Sequence, residues 1–143
     1  LSHYLKGHRS EYYDRLMAIR NEGNWEGWLK FFLRGVYTVS REATDTAREI
    51  LDLREQHRDA VGQFKGSSAL ALRLLDHLFE HPVIFVRATE EYLNCSYVTA
   101  NKLIDQFVKA KLLREITGGQ RNRLYQYQPY IALFAQPTLD DNQ

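Results

Sequence analysis

Cys95 is the single cysteine among the 143 residues of this sequence. One thiol cannot form an internal disulfide, and its isolation fits a reducing compartment. Long apolar runs are also missing, since polar residues interrupt every hydrophobic stretch after a few positions, so no membrane-spanning segment is predicted. A secretory signal pattern is not recognisable either. We therefore expect a cytoplasmic protein that does not associate with membranes.

An excess of charge of one sign is lacking too. Nineteen Lys and Arg residues stand against eighteen Asp and Glu residues, which gives a formal net charge of +1. This balance does not by itself indicate a nucleic-acid binder, because such proteins usually carry a basic excess. Residues 66–136 hold eight basic and six acidic side chains. Any DNA-binding surface must therefore arise from the position of its charges.

Glycine and proline are absent from Thr38 to Val61. An apolar stripe recurs in this stretch at steps of three and four residues, which predicts one long helix. Two polar residues interrupt the stripe, so it is close to a heptad seam without completing one. It fits a long connecting helix or a helix that pairs with a second copy, and we expect a homodimer. The stripe consists of Ala43, Ala47, Ile50, Arg54, His57 and Val61.

An aromatic segment precedes the long helix and has apolar residues on more than one side. This coverage predicts a helix buried on two sides. The residues concerned are Trp25, Trp28, Leu29, Phe32, Leu33 and Val36. Cap residues divide the chain before it: Ser10 is expected to begin a helix, Gly23 to end it and Asn24 to begin the next. At residues 62–68 the sequence GQFKGSS predicts a linker.

A helix-turn-helix is predicted after the linker. A helix ended by Pro82 is followed by a short strand at residues 83–85, and a second short helix, Thr89 to Leu93, ends at Asn94. Ser96 is a good N-cap for the next helix. That helix carries one apolar stripe, expected to be buried. Its members are Ala100, Leu103, Ile104, Phe107 and Val108.

Two strand-like runs, LLREI and RLYQY, flank a turn at Gly118 and Gly119 and predict a hairpin. The fold class predicted is mainly α: a helical segment over residues 1–65, then a winged helix-turn-helix with a small β-wing over residues 66–136. Pro129 is expected to start a last short helix. Residues 137–143 are expected to be a disordered tail.

The helix after Ser96 is the predicted DNA-recognition helix, because its N-terminal part meets base edges in helix-turn-helix proteins. The hairpin tip could reach phosphates or the minor groove. The alternative is a solvated helix face and a soluble loop, and Asp105, Glu90 and Glu91 would repel phosphate. The candidate DNA-binding residues are Ser96, Tyr97, Thr99, Asn101, Lys102, Gln106, Lys109, Gln120, Arg121, Asn122 and Arg123.

Metal and thiol chemistry are weakly supported. His77 and His81 have a spacing that one helix face can use for zinc, but no third ligand is evident. Cys95 suits the apolar slot of the turn, and no positive neighbour would lower its pKa. We predict no metal, cofactor or catalytic residue in this sequence.

Two segments resemble the Fic family. The segment that follows the Fic active-site motif is similar to residues 2–36, SHYLKGHRSEYYDRLMAIRNEGNWEGWLKFFLRGV. The C-terminal winged helix of many bacterial and archaeal members resembles a second segment, TANKLIDQF followed by TGGQRNRLYQY. The resemblance covers roughly residues 1 to 135. It implies that residues 1–65 are the last helices of a Fic-type domain plus a connecting helix. The absence of an initial methionine agrees with our expectation of a segment of a longer protein.

Fic proteins are typically adenylyltransferases, which move AMP from ATP onto a protein hydroxyl. Their signature, HPFxxGNGRxxR, is absent, since His81-Pro82 is followed by VIFVRA. The resemblance thus implies an adenylyltransferase parent and a chain that is not itself an enzyme, with ATP and a divalent metal expected only in the catalytic part. The module is expected to bind duplex DNA and regulate the parent; alternatively it serves protein interaction or dimerisation without nucleic acid.

Overall fold

The computed structural model describes residues 1–64, 68–119 and 122–134. They fall into two compact units, Leu1–Arg48 and a second that starts at Glu49. The boundary lies within one helix, whose last turns belong to the second unit, whereas the sequence analysis placed the domain boundary after residue 65. No helix of the described ranges is both long and apolar enough to cross a membrane.

The first unit is helical, and cap residues explain two of its helix ends. Its helices are α1 (Ser2–Gly7), α2 (Arg9–Glu22) and the first part of α3 (Trp25–Gly62). Gly23 ends α2 with a left-handed φ of 67°, and Asn24 Oδ1 accepts a hydrogen bond from the Gly27 amide at 2.9 Å. Both caps were predicted and are confirmed.

The predicted start of α2 at Ser10 is wrong, because the helix begins at Arg9. The carbonyl of His8 already accepts a hydrogen bond from the Tyr12 amide at 2.9 Å. Ser10 is therefore inside the first turn, where its hydroxyl is not needed as a cap.

The core of the first unit is small and aromatic. Phe31 is buried, and its ring centroid lies 5.9 Å from those of both Tyr4 and Trp28. Gly35 lets α1 approach closely, since a Cβ there would lie 2.7 Å from the Tyr4 ring. The burial predicted on two sides of this part of α3 occurs on one side only. A row of its apolar residues stays exposed, namely Trp25, Leu29, Leu33, Val36 and Tyr37.

The second unit has the predicted winged-helix elements. They are the end of α3, α4 (Ser68–Glu80), β1 (Val83–Phe85), α5 (Val86–Leu93), α6 (Tyr97–Lys109), β2 (Leu113–Glu115), β3 (Leu124–Tyr127) and α7 (Gln128–Ala132). The strands form one antiparallel sheet in the order β1-β3-β2, with Ile84 opposite Tyr125 and Glu115 opposite Tyr125 on the other side. The predicted fold class, a mainly helical chain with a small β-wing, is confirmed.

One apolar core holds the second unit together. Its side chains come from helices α3 to α6, from all three strands and from the turn before β2. They are Val61, Ala71, Leu74, Leu75, Leu78, Ile84, Val86, Leu93, Ala100, Leu103, Ile104, Phe107, Leu112, Leu113, Tyr125 and Tyr127. The predicted stripe of α6 is confirmed at four of its five positions. Val108 is the exception, at 38% exposed.

The end of α3 belongs to this core through Val61 and is tied to α4 by charge. Arg54 Nη2 lies 2.8 Å from Asp76 Oδ1, and Arg58 Nη1 lies 3.6 Å from the same oxygen. The polar residue at position 54, which interrupts the apolar stripe in the sequence, thus contacts α4. Part of the predicted linker at 62–68, and all of the predicted tail at 137–143, lie outside the described residues.

Candidate nucleic-acid interface

The turn between α5 and α6 is fixed by two local caps. Asn94 adopts a left-handed φ of 52°, and the Cys95 amide donates to the Glu90 carbonyl at 3.2 Å, which closes the end of α5. Ser96 Oγ then accepts from the Thr99 amide at 3.2 Å and starts α6. Both residues were predicted from the sequence, because an Asn tolerates this conformation and a Ser hydroxyl satisfies an unpaired amide.

A contact from α4 strengthens this turn. The Arg73 guanidinium donates to the carbonyls of Tyr92 at 3.2 Å and Leu93 at 3.3 Å, where α5 leaves its last carbonyls unpaired. Its carbon also lies 5.8 Å from the centre of the Tyr92 ring. The start of α6 is consequently oriented by hydrogen bonds on both sides of the turn.

The cap uses two of the candidate DNA-binding side chains. The Ser96 and Thr99 hydroxyls lie 2.9 Å apart, and Ser96 Oγ also holds the helix start. Both hydroxyls thus already form hydrogen bonds within the protein, which leaves fewer for contacts to DNA. Sequence reasoning identified Ser96 as a cap and also included both residues among the DNA-binding candidates, because the sequence does not show that the Thr99 hydroxyl contacts the capping oxygen.

The outward face of α6 presents the remaining candidates unequally. Lys102 and Lys109 are exposed, Tyr97 is half-exposed, and Asn101 and Gln106 are partly buried. Lys102 and Lys109 can therefore reach a phosphate or a guanine edge without rearrangement.

Val98 is a residue that sequence reasoning missed. It lies in the first turn of α6 and is 61% exposed. An apolar side chain in this position can contact a thymine methyl group in the major groove. Its position next to Tyr97 in the first helical turn was a usable signal, since it falls outside the apolar stripe that begins at Ala100.

Two charged residues of the hairpin between β2 and β3, Glu115 and Arg123, form an ion pair. Arg123 Nη1 lies 3.9 Å from Glu115 Oε2, and the Arg123 guanidinium carbon lies 5.6 Å from the centre of the Tyr125 ring. Gly118 and Asn122 turn the chain with left-handed φ values of 64° and 51°. Asn122 is exposed. The candidates Gln120 and Arg121 lie outside the described residues.

Tyr125 on β3 lies close to charged groups of both the hairpin and α6. Its side chain is only 2% exposed, and its hydroxyl has no hydrogen-bond partner among the described residues. Burial raises the pKa of this phenol, Arg123 lowers it, and the carboxylates of Glu115 and Asp105 raise it again. The hydroxyl therefore stays protonated, because burial and the negative charges on the hairpin and on α6 disfavour the phenolate.

His77 on α4 stacks on Tyr92, and His81 lies just beyond the end of the helix. The His77 ring lies 3.9 Å from the Tyr92 ring at an angle of 20°, and 4.6 Å from His81. Burial lowers the pKa of His77, and His81 adds to this effect, while Glu80 opposes it. Within the described ranges no three His, Cys, Asp or Glu side chains are grouped so that they could hold a metal ion.

No model of a protein family matches the chain. The Fic resemblance therefore rests on the sequence segments quoted above.

Proposed function

We propose that the second unit is a winged helix that binds duplex DNA, with α6 supplying sequence preference and the β2–β3 hairpin supplying phosphate contacts. The observation that carries this proposal is the doubly capped α5–α6 turn, which leaves Lys102 and Lys109 on the free face of α6. Arg123 on the neighbouring hairpin adds a third cation. Helix-turn-helix proteins place the corresponding helix in the major groove.

Affinity for random DNA should be low. Asp105 and Glu115 lie among the cations of this surface, and few phosphates can be neutralised. We expect non-specific dissociation constants of about 10⁻⁴ to 10⁻⁶ M near physiological salt. A dimer would present two copies of α6 and would tighten binding where two half-sites match their spacing.

The test is a titration of random-sequence duplex, followed by fluorescence anisotropy over a series of salt concentrations. Arg123→Ala should weaken binding to every sequence and lower the salt slope by about 0.9, because one phosphate contact is lost. Arg121→Ala is predicted to act in the same way. Asn101→Ala should instead reduce the difference in affinity between the preferred DNA sequence and random DNA.

Arg20→Ala is the matched control, since it removes the same charge from an exposed position of α2. Its affinity and salt slope should stay close to those of the wild type. Absence of any binding at low salt would contradict the DNA proposal.

The resemblance of residues 1–36 supports a second part of the proposal, that the parent protein is a Fic adenylyltransferase which this module tethers or regulates. The sequence does not contain the HPFxxGNGRxxR signature, so AMP transfer, with its ATP and divalent metal, is assigned to the rest of the Fic domain as the partner of residues 1–36. Purified chain incubated with labelled ATP and protein acceptors should transfer nothing. Reproducible transfer would contradict this assignment.

The alternative function is protein interaction or dimerisation without nucleic acid. It is favoured by the apolar row on α3, where Trp25 and Leu33 are each 61% exposed. Large contiguous apolar surfaces usually mark contact sites. Under this alternative the Arg123→Ala variant leaves all partner binding unchanged.

A further inference from the structure

Glu115 is held in place by the hairpin itself. Thr117 Oγ1 donates to Glu115 Oε1 at 3.3 Å and accepts from the Leu124 amide at 3.2 Å. The Ile116 amide donates to the Leu124 carbonyl at 3.0 Å, so the two strands are joined on both sides of this contact. The carboxylate is consequently oriented before any ligand arrives.

Arg123 faces the other oxygen of that carboxylate. Its Nη1 lies 3.9 Å from Glu115 Oε2, a long separation for an ion pair, and both side chains remain about one-third exposed. Water therefore screens the pair, and exposed pairs of this kind shift an equilibrium by no more than about fivefold. Because the pair is weak, a DNA phosphate that reaches the same place can displace the carboxylate.

The Tyr125 ring provides a surface along which the guanidinium can turn. The cation lies 5.6 Å from the ring centre, within the range of a cation–π interaction. Because a guanidinium carries five donors in one plane, it can keep this contact while it turns two donors toward a phosphate. The ring would then hold the cation in both states.

We propose that Glu115 is a positioning residue of the DNA interface, which holds Arg123 against the hairpin until a DNA phosphate displaces the carboxylate. The inference rests on the proposed DNA binding and adds to it the residue that controls the hairpin cation. The free energy needed to open the Glu115–Arg123 ion pair therefore lowers the affinity for DNA.

The test is a double-mutant cycle of Glu115→Gln and Arg123→Ala with random-sequence duplex. Glutamine keeps an oxygen that can accept from Thr117, so the hairpin should stay intact. Glu115→Gln should tighten binding about two- to fivefold, as expected for an exposed pair, and this gain should vanish when Arg123 is already alanine. Glu80→Gln on α4 is the control for loss of a negative charge.

The salt slopes give a second readout. Wild type and Glu115→Gln should share one slope, because Arg123 reaches a phosphate in both complexes, and Arg123→Ala should lie about 0.9 lower. A gain that persists in the Arg123→Ala background would show general charge repulsion and overturn the proposal. No gain in Glu115→Gln, or a wild-type slope equal to that of Arg123→Ala, would also overturn it. If no variant binds DNA at low salt, the proposed function itself fails.

Discussion

His57 Nδ1 and the Tyr127 hydroxyl lie 2.6 Å apart and join the end of α3 to strand β3 across seventy positions of sequence. Burial raises the pKa of Tyr127 far above its ordinary value, so the phenol keeps its proton. Burial also lowers the pKa of His57, which keeps the imidazole neutral, and the imidazole tautomer sets which of the two groups donates. The polar residue that interrupts the apolar stripe of α3 is thus satisfied inside the second unit.

Stability should fall in mild acid. Because the folded pKa of His57 lies below its ordinary value of 6.5, unfolding takes up a proton in the window between them. The contribution of His57 is therefore complete above about pH 6.5 and is lost as the pH falls through the lowered folded pKa. His77 changes in the same direction.

Urea denaturation of wild type and His57→Asn at several pH values between 7.5 and 5 would test this. The wild type should lose more stability than the variant over that interval. His3→Asn, at an exposed position of α1, is the control and should follow the wild type. Equal pH dependence in wild type and His57→Asn would refute the assignment.

Two tyrosines of β3 should respond differently to loss of the hydroxyl. Tyr127→Phe removes the partner of a half-buried His57 nitrogen and should cost about 1–2 kcal/mol. Tyr125→Phe removes a buried hydroxyl without a hydrogen-bond partner in the described part of the chain, and it should be neutral or stabilising by up to about 1 kcal/mol. Chemical denaturation of both variants provides the comparison, and a larger cost for Tyr125→Phe would contradict the structure.

Gly118 should be sensitive to a methyl group for reasons of backbone alone. Its φ is 64°, and no atom of the described residues lies within 4 Å of the position of a Cβ. Gly118→Ala should therefore cost about 1 kcal/mol, the strain of a left-handed residue, without any clash. Gly62, at the end of α3, has equally open space, so Gly62→Ala should be neutral or stabilising. Thermal unfolding of the two variants separates the effects, and equal shifts in Tm would contradict the role of the left-handed conformation at Gly118.

Self-association through α3 is expected if its exposed apolar row is an interface. Sedimentation velocity should show a dimer that weakens when Leu29 and Leu33 are both changed to glutamate, since charge cannot be buried there without a partner. Lys30→Glu changes the charge of the same helix outside the row and should leave the dimer intact. A wild type that stays monomeric at high concentration would rule out this interface.

Much of the winged helix could be predicted because its signals are local. The cap at Ser96, the left-handed Asn94 and the turn at Gly118 depend on contacts within a few residues, and such contacts can be recognised from residue type. The core stripe of α6 follows from helical periodicity. The candidate site was harder, since exposure at Val98 and the capping use of Thr99 depend on the whole helix start.

The order of elements, several helix ends and the fold class follow from the sequence, because steric preference, capping and periodicity act over one or two turns. Which side chains meet across elements follows from the tertiary structure alone. Glu115 and Arg123 are paired because the register of the hairpin brings them together, and His57 meets Tyr127 because α3 packs on the sheet. Such pairings depend on packing between residues distant in sequence, for which a single sequence carries no local signal.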